Sequence, residues 1–176
     1  MAHLAMGVVR RVQVRLSESK MEFEEAIAHD RSNARAFFEL GQAMMWLGQP
    51  EAGIPYVEKA IRLNPHDRTL ASHYALIGLC YLLLDRVDEA IDLLKKARAA
   101  NPRPYYIHLW LAGALGLKGD LDEAKAALAE SLKLNPKINS FATQRANVPW
   151  NAYPPHWALR EKTLNVGLRR IGFPEE

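Results

Sequence analysis

The side chains in this chain that could perform metal or redox chemistry are six histidines and one cysteine. No two histidines are spaced as His-x-x-x-His and no Glu-x-x-His occurs, so the helical spacings that place two metal ligands on one face are absent. Cys80 lies in an apolar segment, where a thiol usually serves as a small buried hydrophobe. A single cysteine can form neither an intrachain disulfide nor a cysteine-based zinc site. We therefore predict no metal ion and no cofactor.

Acid-base and nucleophilic catalysis find no better support. The adjacent carboxylates Glu24-Glu25 and Asp88-Glu89 are interpreted as solvated faces and helix starts. No Ser-His-Asp or Cys-His arrangement can be argued, because no candidate nucleophile lies on a strained-turn motif. The basic cluster from Arg160 to Arg170 lacks interleaved aromatic residues and is balanced by neighbouring glutamates, which favours a solvated helix face over a nucleic-acid site. The sequence predicts a protein that is not an enzyme and does not bind nucleic acid.

Composition is that of an ordinary soluble domain. Hydrophobic residues make up 49% of the 176 positions, and the net charge of +3 is too small to imply a polyanionic partner. No apolar run approaches the roughly 18–20 residues needed to cross a bilayer. Arg10 and Arg11 follow a short apolar patch, which reverses the basic-then-apolar order of a signal peptide. We expect a cytoplasmic protein with no membrane insertion.

The elements that must position any functional site come from a pattern written three times between Ala34 and Ile138. Each copy has large residues around a small one, a turn residue, a second small-large-small series and a final Asn-Pro. The copies are Phe37, Leu40, Gly41, Met44, Gly48, Gly53, Val57, Ala60 and Asn64-Pro65; Tyr74, Ile77, Gly78, Tyr81, Asp85, Ala90, Leu94, Ala97 and Asn101-Pro102; and His108, Leu111, Ala112, Leu115, Gly119, Ala124, Leu128, Ser131 and Asn135-Pro136. A period in this range predicts stacked helical units.

These residues resemble the tetratricopeptide repeat, in which helix pairs carry large-x-x-Leu-Gly-x-x-Tyr, then Ala-x-x-x-Phe, then Ala and Pro. The resemblance implies an all-α, right-handed α-solenoid whose first helices line a concave groove. It gives three repeats, at residues 34–67, 71–104 and 105–138, preceded by a partial, degenerate repeat in residues 1–33. Within that partial repeat, residues 1–16 could form either a helix or an extended arm.

A narrower similarity is visible to the repeat region that lies C-terminal to many bacterial class III adenylate/guanylate cyclases. It spans roughly residues 16–176, and no cyclase catalytic segment is present. It implies a regulatory or interaction module in a larger signalling protein. The similarity rests on Ala60 to Pro65, Asp88 to Ile91, Ala99 to Pro102, Tyr106 to Ala112, and the ending Gly167 to Glu176.

Residues 139–176 depart from the repeat. A short helix is predicted from Phe141 to Ala146, and the proline-rich aromatic segment from Val148 to Trp157 is predicted to be an extended strap on the solenoid. We expect one final capping helix, about Pro155 to Ile171, because terminal units need a polar outer face. Its inward residues would be Leu159, Leu164, Leu168 and Ile171, and its solvated residues Arg160, Lys162, Arg169 and Arg170.

On the resemblance, the concave groove is unusually apolar, and burying one of its leucines or phenylalanines is worth about 1.5–3 kcal/mol. The sequence therefore predicts a groove that binds a protein or peptide partner, as an amphipathic helix or an extended apolar segment. The alternative is a structural, self-associating unit, a homodimer for example, whose groove is filled by its own C-terminal helix, its N-terminal arm or a second copy. The groove residues are Arg35, Phe38, Gln42, Met45, Trp46, Ser72, Leu79, Leu82, Leu83, Tyr106, Leu109, Gly113 and Leu117.

Overall fold

The computed structural model describes residues 2–176, and within that range it contains eleven α-helices, one short 3-10 helix and no strand. The α-helices are α1 Ala2–Val12, α2 Leu16–His29, α3 Ala34–Trp46, α4 Pro50–Leu63, α5 Leu70–Leu83, α6 Val87–Ala100, α7 Tyr105–Lys118, α8 Leu121–Leu134, α9 Phe141–Asn147, α10 Pro154–Lys162 and α11 Leu164–Arg170. The 3-10 helix is Pro149–Ala152, between α9 and α10.

The first eight helices form four consecutive antiparallel pairs. Each of α1, α3, α5 and α7, here called the A helices, packs against the helix that follows it, and these partners are called the B helices. The B helices α2, α4 and α6 also pack against the A helix of the next pair, which joins the pairs into a continuous stack. The predicted all-α solenoid is confirmed, and the N-terminal segment is a helix and not an extended arm.

Within the first three pairs, a glycine of the A helix lies against a large side chain of the B helix sixteen residues later. A Cβ atom added at these glycines would come within 2.4, 2.6 and 3.0 Å of the facing side chain, so the two helix axes are close because no Cβ is present. The same contact therefore sets the geometry of each pair. The facing residues are Gly7 and Phe23, Gly41 and Val57, and Gly78 and Leu94.

The segment predicted to be an extended strap is mostly helical, which corrects that expectation. Pro149 begins the 3-10 helix and Pro154 begins α10, where the missing N–H of proline costs nothing because the first N–H groups of a helix have no internal acceptor. The predicted single capping helix is also two helices. The helix is interrupted at Thr163, whose backbone has φ −132° and ψ −92°. The hydroxyl of Thr163 donates to the carbonyl of Leu159 at 3.0 Å.

The C-terminal helix α11 crosses the A helix α7 through three glycines. A Cβ on Gly167 would lie 1.8 Å from the carbonyl oxygen of Gly113, and a Cβ on Gly116 would lie 2.3 Å from the carbonyl oxygen of Gly167. The backbones are therefore in direct contact at the crossing. Leu164 and Leu168 are fully buried beside it, as predicted, and Ile171 is buried near the end of the chain.

The sequence predicts a solvated Arg160, and this is wrong: the side chain is almost fully buried. Its guanidinium donates to the amide oxygens of Gln144 and Asn165 and lies 5.0 Å from the ring centroid of Trp157. Burial lowers the pKa of Arg160 to about 10, which leaves the group charged at neutral pH. A charge removed from water needs such polar partners, so this cluster ties α9, α10 and α11 together.

The end of the chain closes this C-terminal unit. The backbone N–H groups of Phe141 and Ala142, at the start of α9, donate to the carbonyls of Pro174 and Glu175 at 2.9 and 3.0 Å. The ring of Phe173 packs edge-on against Phe141 at 5.0 Å. The first turn of α9 therefore finds acceptors for its free donors in the C-terminal tail.

We predict that Gly167→Ala weakens the docking of α11 on α7, because the added Cβ must displace the backbone of Gly113. Overpacking of this kind costs about 1–3 kcal/mol. Urea denaturation should show that loss of stability, and hydrogen exchange should show faster exchange in residues 164–170. The neighbouring Val166→Ala is the control, since Val166 is only half-buried and its truncation adds no atom to the crossing. Equal behaviour of the two variants would show that the crossing is not this close.

We predict an acid-dependent loss of stability from His156, which is fully buried in α10. Burial, with the adjacent Arg160 charge, lowers the pKa of His156 to about 3, so the folded chain keeps a neutral ring at pH values where the unfolded chain binds a proton. Stability therefore falls as the pH is lowered from the unfolded pKa, near 6.5, toward the folded one.

The expected loss is about 1.5 kcal/mol between pH values of roughly 6.5 and 5, where carboxylates contribute little. Urea denaturation at both pH values measures it. The slope should disappear in His156→Gln and persist in His66→Gln, since His66 is exposed. A slope that survives in His156→Gln would assign the acid sensitivity to other groups.

Candidate functional site

A cavity of about 710 Å³ opens on the concave side of the stack, between the A helices α3, α5 and α7 and the 3-10 helix. Its lining from the first two pairs and the loop that follows consists of Arg11, Arg35, Phe38, Glu39, Gln42, Met45, Trp46, Asp67 and Thr69. The remainder of the lining consists of Ser72, His73, Leu76, Tyr105, Tyr106, Leu109, Trp110, Gln144, Val148, Trp150 and Asn151.

Aromatic rings form much of the cavity wall. The ring of Phe38 lies 4.4 Å from that of His73, and the ring of Tyr106 lies 4.9 Å from that of Trp110, measured between ring centroids. Both pairs are tilted and not stacked face to face, as the quadrupoles of aromatic rings favour. The site therefore presents large, rigid apolar surfaces.

Trp46 closes a second part of the wall together with the 3-10 helix. Its ring centroid lies 5.8 Å from that of Trp150, and its indole N–H donates to the side-chain oxygen of Asn151 at 3.3 Å. Trp150 and Asn151 belong to the segment that follows the repeats. The cavity is thus completed by residues outside the repeated helix pairs.

The charged groups of the cavity are largely paired. Arg11 donates to the buried carboxylate of Glu39 and to the side-chain oxygen of Gln42 at 3.0 Å, and its guanidinium lies 5.4 Å from the Trp46 ring centroid. Arg35 lies 3.7 Å from the other oxygen of Glu39 and is mostly exposed at the rim. The carboxylate therefore has two cationic neighbours, and the cavity offers little unpaired charge.

Neutral hydrogen-bonding groups and one further carboxylate lie near the start of α5. The hydroxyls of Ser72 and Tyr106 are 2.9 Å apart, which joins α5 to α7. Asp67 accepts from the N–H and the hydroxyl of Thr69 at 2.7 and 2.6 Å, and these hydrogen bonds hold the pKa of Asp67 below its usual range. Asp67 is therefore charged at neutral pH and already supplied with donors.

The structure brings most of the predicted groove residues to this cavity. Those that line it are Arg35, Phe38, Gln42, Met45, Trp46, Ser72, Tyr106 and Leu109. Whether they contact a partner stays a prediction. The cavity also contains residues that sequence reasoning missed, including Arg11, Glu39, Trp110, Trp150 and Asn151. Of these residues, Glu39 could have been found from the sequence, because a carboxylate between Phe38 and Leu40 in an apolar helix indicates a charge that needs a partner.

The remaining predicted groove residues do not line the cavity, which corrects their placement. Leu79, Leu82 and Leu83 are buried in the same core cluster as Leu164 and Leu168 of the C-terminal helices. Gly113 lies against α11, and the carbonyl of Leu117 accepts from the guanidinium of Arg170 at 2.6 Å. Helix α10 contacts α3 and α5, and α11 covers α7. The C-terminal part of the concave face is therefore filled by the chain itself, as one of the alternatives held.

Between residues 2 and 176, no helix combines the length and apolarity that a bilayer crossing requires. The same residues include no group of three or more His, Cys, Asp or Glu side chains placed to hold a metal ion.

Comparison with known proteins supports the interpretation of the helix pairs as repeats. Tetratricopeptide repeat family models match residues 4–68, 45–103 and 81–143. The chloroplastic tetratricopeptide repeat domain-containing protein PYG7 of Arabidopsis thaliana is 30% identical over 143 residues, which are 78% of this chain and 46% of that protein. The chain spans less than half the length of the curated relatives it matches.

Two solved structures show the same fold. TTC0263, a thermophilic tetratricopeptide repeat protein of Thermus thermophilus, superposes with a TM-score of 0.70 at 20% identity, covering 96% of this chain and 90% of that one. YrrB, described as a tetratricopeptide repeat protein with an unusual peptide-binding site, superposes with a TM-score of 0.61 at 17% identity, covering 96% and 84%. With family models matching well over half of its length, the chain belongs to the tetratricopeptide repeat family.

Proposed function

We propose that this chain is a protein-interaction module whose concave cavity binds a short extended segment of a partner protein. The observation that carries the proposal is the lining itself, which combines aromatic rings with neutral hydrogen-bonding side chains. Ligand sites of proteins have this character, and their volumes of about 300–1,000 Å³ include that of this cavity. The likeness in fold to YrrB, which has a peptide-binding site, supports the proposal by analogy.

The form of the site suits an extended segment. An extended segment places alternate side chains on opposite sides, which lets one partner chain contact more than one wall of the cavity, and it has a smaller cross-section than a helix, which is about 10 Å across.

The polar groups of the cavity favour the same occupant. An extended peptide keeps its backbone N–H and C=O groups free, whereas a helix satisfies them internally. Gln42, Ser72, Tyr106 and Asn151 place amide and hydroxyl groups on the cavity wall, where they are able to pair with such a backbone. The occupant that fits this lining has large apolar side chains for the rings and little net charge.

The proposed cellular setting rests on the sequence resemblance described above. We infer a cytoplasmic signalling protein in which this module serves as the regulatory or interaction part, as in class III nucleotide cyclases. A cyclase whose output changes when the cavity is blocked would support that setting.

We expect selection from a displayed library of random short peptides to enrich sequences that bind the wild-type chain. Trp110→Gln and Phe38→Glu should lower the affinity of the enriched peptides by about tenfold or more, since each removes an apolar contact worth about 1.5–3 kcal/mol. Fluorescence anisotropy with labelled peptide measures the loss.

The control for these variants is Met21→Glu, because Met21 is 63% exposed on α2 and lies outside the cavity. Thermal unfolding checks that every variant stays folded. Enriched peptides that bind both cavity variants as well as they bind wild type, or a library that yields no binder, would contradict the proposal.

A further inference from the structure

Two amide side chains of the cavity wall have their oxygen atoms already in use. The indole N–H of Trp46 donates to the amide oxygen of Asn151, and the guanidinium of Arg11 donates to that of Gln42. An indole N–H and a guanidinium are donors only, so the oxygen of each amide, and not its nitrogen, must face them. The NH2 groups of Gln42 and Asn151 are thereby left free, and no hydrogen bond within residues 2–176 uses them.

Further free donors belong to two tryptophans and an arginine. Trp110 and Trp150 line the cavity and are half-buried, and in the described part of the chain neither indole N–H donates to a protein acceptor. Arg35 at the rim is 69% exposed, and its nearest carboxylate oxygen, on Glu39, is 3.7 Å away, which is beyond hydrogen-bond distance. Free N–H groups therefore reach the cavity from α3, α7 and the 3-10 helix.

The acceptors of the same lining are mostly occupied. Asp67 accepts from the N–H and the hydroxyl of Thr69, and the carboxylate of Glu39 accepts from Arg11. His73 offers one acceptor, Nε2 of the neutral ring, because its Nδ1 donates to the carbonyl of Thr69 at 2.9 Å. Hydroxyl groups serve in either role. The cavity therefore presents many free donors and few free acceptors.

A peptide that complements this lining has carbonyl acceptors and few N–H donors. Proline has this character, since it keeps its backbone C=O and lacks the N–H. Proline-rich segments adopt the polyproline II helix, which is extended and has no internal hydrogen bonds, so every carbonyl is available to a partner. Such segments dock in grooves lined by aromatic rings, and rings of this kind are supplied here by Tyr106, Trp110 and Trp150.

We propose that the cavity binds a proline-rich segment of a partner protein in the polyproline II conformation, with N–H groups of Gln42, Trp110, Trp150 and Asn151 donating to its carbonyls. This inference rests on the proposed function above and names the chemistry of the segment. A polyproline II segment is largely ordered before it binds, so its binding loses little conformational entropy. A segment without proline brings one N–H per residue, and those N–H groups would lose water without gaining acceptors.

Two displayed libraries of short peptides test the proposal on the full chain. One library fixes proline at every third position, which matches the three residues per turn of the polyproline II helix, and the other fixes alanine there. The remaining positions are random in both. We expect the proline library to yield peptides that bind about tenfold tighter, or better, than those from the alanine library. Fluorescence anisotropy with labelled peptides measures the difference.

The variants Gln42→Glu and Asn151→Asp test the donors directly, because each replaces a free NH2 group by an oxygen of similar size. The retained oxygen still accepts from Arg11 or Trp46. Each variant should lower the affinity of the enriched proline peptides by about tenfold or more, since a donor to a peptide carbonyl becomes a charged acceptor. The matched control is Gln49→Glu, the same change at an exposed residue outside the cavity. Thermal unfolding checks that each variant is folded.

Binders from the alanine or the fully random library that match or exceed the proline peptides, and that lose affinity in Phe38→Glu, would keep the cavity as a peptide site and overturn the proline inference. Proline peptides that bind Gln42→Glu and Asn151→Asp as tightly as wild type would also overturn it, because the donors would not be in use. Failure of all three libraries would contradict the proposed function itself. Tighter proline peptides that lose affinity in both variants and not in Gln49→Glu support the inference.

Discussion

The direct backbone contact between α11 and α7 is the constraint on which the concave face of this molecule depends. Gly113, Gly116 and Gly167 leave no Cβ at the crossing, so the C-terminal helix lies deeper than any helix with side chains there could lie. The buried polar cluster around Arg160 holds α9, α10 and α11 as one unit, and the chain end closes on the first turn of α9. The position of that unit decides how much of the groove stays open.

The open part is the cavity between α3, α5, α7 and the 3-10 helix, and its chemistry differs from that of the filled part. The filled part holds leucines in a dry core, where only shape and apolar area matter. The open part holds tilted aromatic rings with hydroxyl and amide groups among them, and a carboxylate balanced by Arg11 and Arg35. The C-terminal helices thereby reduce the concave groove to a bounded site with a defined polar and apolar lining.

The repeat could be predicted from the sequence because the contact that builds each pair is written locally, as a small residue followed sixteen positions later by a large one. The filling of the groove could not, because it depends on which distant segment meets α5 and α7. Both helices carry apolar residues on every side, which is typical of helices that are buried on every side. From the sequence alone, the same pattern was equally compatible with an exposed apolar groove. The burial of Arg160 could not be predicted for the same reason. Its amide partners Gln144 and Asn165 lie in α9 and α11, and the repeat pattern does not specify how these helices pack.

The most direct test of the central claim uses the indole N–H resonances of the four tryptophans. Trp46, Trp110 and Trp150 line the cavity, whereas Trp157 packs against Phe141 and Arg160 outside it. Titration of the labelled chain with a peptide selected on it should shift the first three resonances and leave that of Trp157 in place. A titration in which the peptide binds and only Trp157 shifts, or in which no indole shifts, would show that the cavity is not where this chain meets its partner.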